Sequence, residues 1–112
     1  NTKVNLHCIG MAASMAAIIL SSGEKGHRFA SPHSKIMIHE PLISGDIGGS
    51  ASSIKRTAES ILETKAMTVD ILANSTGRSK EEIETAISYD NYMNAEEAIA
   101  FGICDRIETA IV

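Results

Sequence analysis

The segment from Ser50 to Ser75 constrains the fold more than any other. Ala51, Ile54, Ala58, Ile61, Leu62, Val69 and Leu72 recur at helical spacing, and Lys65 interrupts one of the rows. Gly77 follows and predicts the stop. The chain has 112 residues, which suits a single domain. A helix this long in so short a chain has little surface beside it to cover its apolar row. It is expected to project from the domain or to lie against a partner.

Ahead of this helix, Val4 to Ile9 reads as a short buried strand ending at Gly10. Ala12 to Ser22 is rich in Ala, Met, Ile and Leu and predicts a buried helix, with Gly23 as its C′ residue. His27 to Ala30 fits a short strand, and Ser31-Pro32-His33-Ser34 is turn chemistry. Lys35 to His39 is a compact strand, and Pro41 stops regular pairing after it. Leu42 to Gly49 holds three glycines and reads either as an exposed extended arm or as a flexible loop. It has neither a G-x-G-x-x-G pattern nor the Lys-Ser/Thr of a phosphate-binding loop. Ser79 with Glu82, and Asn94 with Glu97, are capping boxes that open two short helices. Ile103 to Ile107 reads as a last strand. Strands alternating with buried helices argue for an α/β domain with a largely parallel sheet.

Composition narrows the function classes. The net charge is −4 and aromatic residues are 4% of the chain, so neither a phosphate-backbone surface nor a base-stacking platform is expected. The longest apolar run, Met15 to Leu20, is far too short to span a bilayer. No signal peptide is visible, and a start inside strand-like sequence suggests a piece of a longer chain. Cys8 and Cys104 lie in apolar contexts and read as buried free thiols of a cytoplasmic protein. The histidines show no metal-ligand spacing, and His39-Glu40 lacks the second histidine of a zincin.

Three residues could carry chemistry. Ser14 lies just inside the start of the first helix, after a strand and Gly10, where an Oγ can be presented beside free helix N–H groups. A serine in that place is more often a cap. His39 ends a strand, where ligand sites of open α/β sheets lie, although an ordinary edge histidine also fits. Asp90 sits between Tyr89 and Asn91-Tyr92, where aromatics could shield a carboxylate that orients a histidine. A plain loop aspartate fits the same place.

A resemblance adds to this reading. Gly10-Met11-Ala12-Ala13-Ser14-Met15-Ala16-Ala17 resembles the G-x-A-A-S-M-G/A-A nucleophile motif of the ClpP family, the proteolytic subunits of Clp proteases. Lys35 to Pro41 is similar to that family's R/K-x-M-I-H-Q/E-P motif. Asp90 to Ala98 resembles its D-x-F-x-S/T-A-x-E-A segment, and Phe101 to Ile107 its Y-G-L-I-D-x-I stretch. The resemblance runs from about Val4 to Ile107 and implies the C-terminal two-thirds of a subunit. The implied fold is the ClpP/crotonase-type α/β fold, one domain over 1–112 lacking its N-terminal part. A strand-helix handle would project over about 42–75.

The resemblance also implies a serine endopeptidase with the triad Ser14, His39 and Asp90. The Met15 N–H would be one oxyanion donor, and the family's second donor lies on an upstream glycine-rich loop. Leu42, Ile43, Ser44 and Gly45 would pair with an extended substrate. The implied partners are unfolded polypeptide, a homo-oligomeric ring and an AAA+ unfoldase, with no cofactor. Many members carry Asp-Arg before the triad aspartate for ring–ring contact; Ser88 and Tyr89 stand there, so that charged link does not carry over. Two rivals remain: a catalytically silent subunit that binds peptides or builds rings, and a crotonase-fold enzyme acting on acyl-CoA.

Overall fold

A computed structural model describes residues 4–42 and 48–109. Gly10, at φ +86, divides the first apolar run into two strands, β1 (Leu6–Cys8) and β2 (Met11–Ala13). The helix α1 (Met15–Ser21) follows, and then a second strand pair, β3 (Arg28–Ala30) and β4 (Lys35–Ile38). These are separated by the expected turn, in which the Ser34 N–H and Oγ both donate to the Ser31 carbonyl, at 3.1 and 2.7 Å. β1 pairs parallel with β3, and β2 parallel with β4. The chain therefore passes twice from one sheet to the next, at Gly10 and at the Ser31–Ser34 turn.

After the long helix α2 (Ala51–Thr76) come α3 (Lys80–Ile87), the strand β5 (Asn91–Asn94), α4 (Ala95–Phe101) and β6 (Arg106–Ile107). β5 adds to β4 antiparallel and β6 adds to β3 parallel. The result is two three-stranded sheets, ordered β1-β3-β6 and β2-β4-β5. The expected α/β class holds, with one sheet wholly parallel and the other ending on an antiparallel strand.

Three expectations about the elements need correction. The predicted helix over Ala12–Ser22 is strand at its beginning. Met11, Ala12 and Ala13 pair with Lys35, Ile36 and Met37, and this pairing overrides the helical preference of Ala and Met. Asn91-Tyr92-Met93-Asn94 was expected only as the connection between the two capped helices. It forms an edge strand that buries only Met93, and β4 supplies the pairing. The last strand is also shorter than Ile103–Ile107.

α2 behaves as its length demands. The Ser50 Oγ accepts from the Ser53 N–H at its start, and left-handed Gly77 ends it. Its 26 residues span about 40 Å. Only Thr68, Val69 and Leu72 are buried, all in its last third. Leu62 and Met67 are more than 60% exposed, and the molecule measures 53 × 29 × 24 Å. The helix projects. Of the arm before it, Leu42, Gly48 and Gly49 carry no strand, and Ile43, Ser44 and Gly45 lie outside the described residues.

Both predicted capping boxes are present, Ser79 with Glu82 and Asn94 with Glu97. The core joins Leu20, Ile36, Ile38, Leu72, Ile83, Ile87 and Ile103. Gly102 ends α4 at φ +104, and a Cβ there would stand 2.8 Å from the Thr76 carbonyl oxygen. Glycine is thus required both by conformation and by the close passage of α2. Gly23 stands at the C′ place of α1 but without positive φ. Its use is proximity: an added Cβ would approach Leu6 Cδ1 to 2.7 Å.

One buried ion pair ties these elements together. Arg28 Nη2 and Nε donate to the two Asp105 carboxylate oxygens at 2.7 and 2.9 Å. Arg28 Nη1 donates to the Ser21 and Ser75 carbonyls, at the ends of α1 and α2. The Gly26 and Arg28 N–H groups complete the carboxylate's partners. Led by the Arg28 hydrogen bonds, this set holds the Asp105 carboxyl down at about 2.

Candidate active site

Ser14 occupies the corner between β2 and α1. Its φ of 57° and ψ of −117° make it the one non-glycine residue with positive φ among the described residues. A side chain there costs on the order of 1–3 kcal/mol in backbone strain, which surrounding contacts must offset. They do: the Ser14 N–H donates to the Met37 carbonyl at 2.9 Å, and the Ser14 carbonyl accepts from Ala17 and Ile18. Ser14 stands at the N-cap position but its side chain makes no cap hydrogen bond. The alternative use of this serine, as a helix cap, is therefore not the one adopted. Ser14 also lies before the helix and not inside it. Met15 is the first helical residue and is exposed. The first N–H groups of a helix have no partner within it.

His39 follows the last residue of β4 and is half-buried. Its Nδ1 lies 2.5 Å from the Glu40 carbonyl oxygen. A carbonyl only accepts, so Nδ1 carries the hydrogen and, in the neutral ring, Nε2 keeps its lone pair. That is the tautomer a general base requires.

Asp90 immediately precedes β5 and is exposed. The register sets Ala13 beside Met37 and Ile38 opposite Asn91. Ser14, His39 and Asp90 are each the next residue or the next but one from these pairs. Their backbones thus meet at one end of the β2-β4-β5 sheet, at the C-terminal ends of β2 and β4, where open α/β sheets place ligands. The side chains are not joined. Among the described residues, Asp90 has no side-chain hydrogen bond, and the imidazole Nδ1 is held by Glu40.

The thiols do not compete as nucleophiles. Burial pushes Cys104 up to about 11 and raises Cys8, so both stay protonated near neutrality. Both are free, as the sequence suggests. An open hollow of about 640 Å³ runs beside the site along α2, lined by Pro41, Leu42, Arg56, Thr57 and Ile61 among others. Leu42 is 70% exposed there.

Two residues at the site escaped sequence reasoning as functional candidates. Glu40 bonds Lys65 on α2, with Nζ and Oε2 3.3 Å apart. The signal was present: Lys65 is the charge that interrupts an apolar row.

A strand, a strained serine and a helix thus follow one another at this corner. The sequence comparisons agree on the family. The Clp protease family matches residues 1–110. The ATP-dependent Clp protease proteolytic subunit 2 of Chlamydia trachomatis serovar D is 49% identical over 104 residues, 93% of this chain. The chain belongs to the Clp protease family. It spans 50% of that relative's length, a smaller share than the two-thirds the motifs suggest. No helix among the described residues is long and apolar enough to cross a membrane.

Proposed function

We propose that the chain is the C-terminal part of a serine endopeptidase subunit that cleaves unfolded polypeptides. Ser14 is the nucleophile. His39 Nε2 takes its proton as Oγ attacks the peptide carbonyl, then delivers a proton to the leaving amine. Asp90, at the neighbouring register position, orients the imidazole and stabilises its charged form once the side chains close up. The Met15 N–H donates to the developing oxyanion; removing one such donor typically costs about 10²–10³ in rate. Leu42, Ile43, Ser44 and Gly45 bind the extended substrate. The subunit works in a homo-oligomeric ring fed by an AAA+ unfoldase in the cytoplasm, as its family membership and two free thiols support. The observation that carries the reading is the Ser14 corner, strained and with its side chain unspent on the helix.

The unjoined Asp90 supports a second reading, a catalytically silent subunit that binds peptide or builds rings. Peptidase assays of the full-length protein separate the two. Ser14→Ala abolishes cleavage if the first reading holds. His39→Ala and Asp90→Asn are then severely impaired, and the losses do not add because the residues act as a unit. A wild-type protein assembled into rings yet inert toward every peptide offered would support the silent subunit instead.

A further inference from the structure

We propose that Arg56 gives the site a preference for acidic side chains by binding a substrate carboxylate in the hollow along α2, an inference that rests on the endopeptidase reading and deepens it. The hollow, of about 640 Å³, has two walls. Pro41 and Leu42 form one of them. Pro41 is the second residue after His39, and Leu42 is the first of the residues assigned to the substrate. The other wall is one face of α2, from Ser53 to Thr64. A helix rises about 1.5 Å per residue, so this wall is about 16 Å long. That matches about five residues of extended polypeptide. A substrate held at Leu42 has room to lie against it.

Among the described residues, Arg56 is the one charged residue lining the hollow. The other two cations of α2 are already paired, Lys55 with Glu59 at 3.9 Å and Lys65 with Glu40 at 3.3 Å. Arg56 meets no carboxylate among the described residues, and its Nη2 reaches the Ser53 Oγ only at 3.5 Å. A contact that long leaves the guanidinium nearly all of its donor capacity. The neighbouring threonines offer less: Thr57 and Thr64 Oγ1 donate to the Ser53 and Ser60 carbonyls of the helix itself. A guanidinium is planar, permanently charged and forked, and it takes a carboxylate through two parallel N–H bonds. An aspartate or glutamate side chain of the substrate supplies that partner. Arg56 is exposed, so water and salt screen the contact and the preference is modest.

The test uses peptides of one otherwise uncharged sequence, amidated at the C-terminus, with Glu, Gln or Lys placed in turn at about five positions on each side of the cleaved bond. The kcat/KM of the full-length protein is read for each, with assembly checked by sedimentation. At one position or two neighbouring ones the wild type prefers Glu to Gln about threefold to fivefold, and raising salt to about 0.5 M removes most of that ratio. Arg56→Gln brings the ratio to about 1, Arg56→Lys keeps part of it, and Arg56→Glu turns the preference toward Lys. A wild-type ratio of about 1 at every position, or an unchanged ratio in Arg56→Gln, overturns the proposal. A preference that salt leaves untouched overturns it as well, whether or not the variants assemble. The endopeptidase reading fails separately, if Ser14→Ala cleaves these peptides at the wild-type rate. Fluorescence anisotropy with Ser14→Ala and labelled peptides reads the Arg56 contact without cleavage: the Glu peptide binds about threefold more tightly than its Gln counterpart, and equal affinity at every position overturns the proposal even where no peptide is cut.

Discussion

Two ion pairs among the described residues hold α2 in place, one through a carbonyl at its end and one through its own lysine, and they differ in kind. Arg28 and Asp105 are enclosed, 4% and 19% exposed, and every donor around the carboxylate is accounted for. Lys65 and Glu40 share a single contact and are open to water. The first pair sits where α2 is buried and joins the ends of two helices to β3 and β6. The second sits where α2 leaves the domain and touches only the segment that carries His39. Enclosure makes the first pair part of the fold's stability. Exposure leaves the second free to vary without unfolding anything.

Breaking the enclosed pair gives the largest effect. Arg28→Met leaves Asp105 without its cation and the Ser21 and Ser75 carbonyls without a donor; a loss of about 3–5 kcal/mol is expected in chemical unfolding of the full-length protein. The two ends of α2 provide the next contrast. Leu72 is fully buried, so Leu72→Ala costs about 2–5 kcal/mol. Leu62 is 62% exposed, so Leu62→Ala stays within about 0.5 kcal/mol of wild type unless a second copy covers it. A concentration-dependent loss of assembly in Leu62→Ala would show that covering.

Acid distinguishes the pairs further. Asp105 is held at about 2 against an ordinary 3.8, so between those values the unfolded chain binds the extra proton. Its contribution, on the order of 2 kcal/mol, is complete above about pH 4 and is lost as pH falls toward 2. Asp105→Asn removes that part of the acid sensitivity, which unfolding midpoints across pH 2–5 will reveal. Lys65→Met has a small stability effect, under about 1 kcal/mol, because its pair is open to water. A Lys65→Met protein as unstable as Arg28→Met would erase the distinction between the pairs.

What the sequence revealed depended on whether the signal was local. α2, its left-handed Gly77 and the two capping boxes are written in neighbouring residues, and all were legible. The Ser14 corner was legible as a motif, but its conformation was not. β2 exists because β4 lies beside it, and the helical preference of Met-Ala-Ala hid that. β5 was hidden for the same reason, since four mostly polar residues become a strand only on the edge of β4. Arg28 and Asp105 are 77 residues apart, so no local pattern joins them. His39 and Asp90 were legible as candidates. That the imidazole rests on Glu40 was not, because it depends on a peptide group held by the distant Ile87 carbonyl.

The central claim is that the strained serine between β2 and α1 is a nucleophile. Treating the full-length protein with a fluorophosphonate probe and mapping the adduct by peptide mass spectrometry tests it most directly. The account predicts one adduct, on the peptide carrying Ser14. The adduct should form slowly in His39→Ala and be absent in Ser14→Ala. Labelling that persists in Ser14→Ala, or a wild-type adduct on another residue, would contradict it.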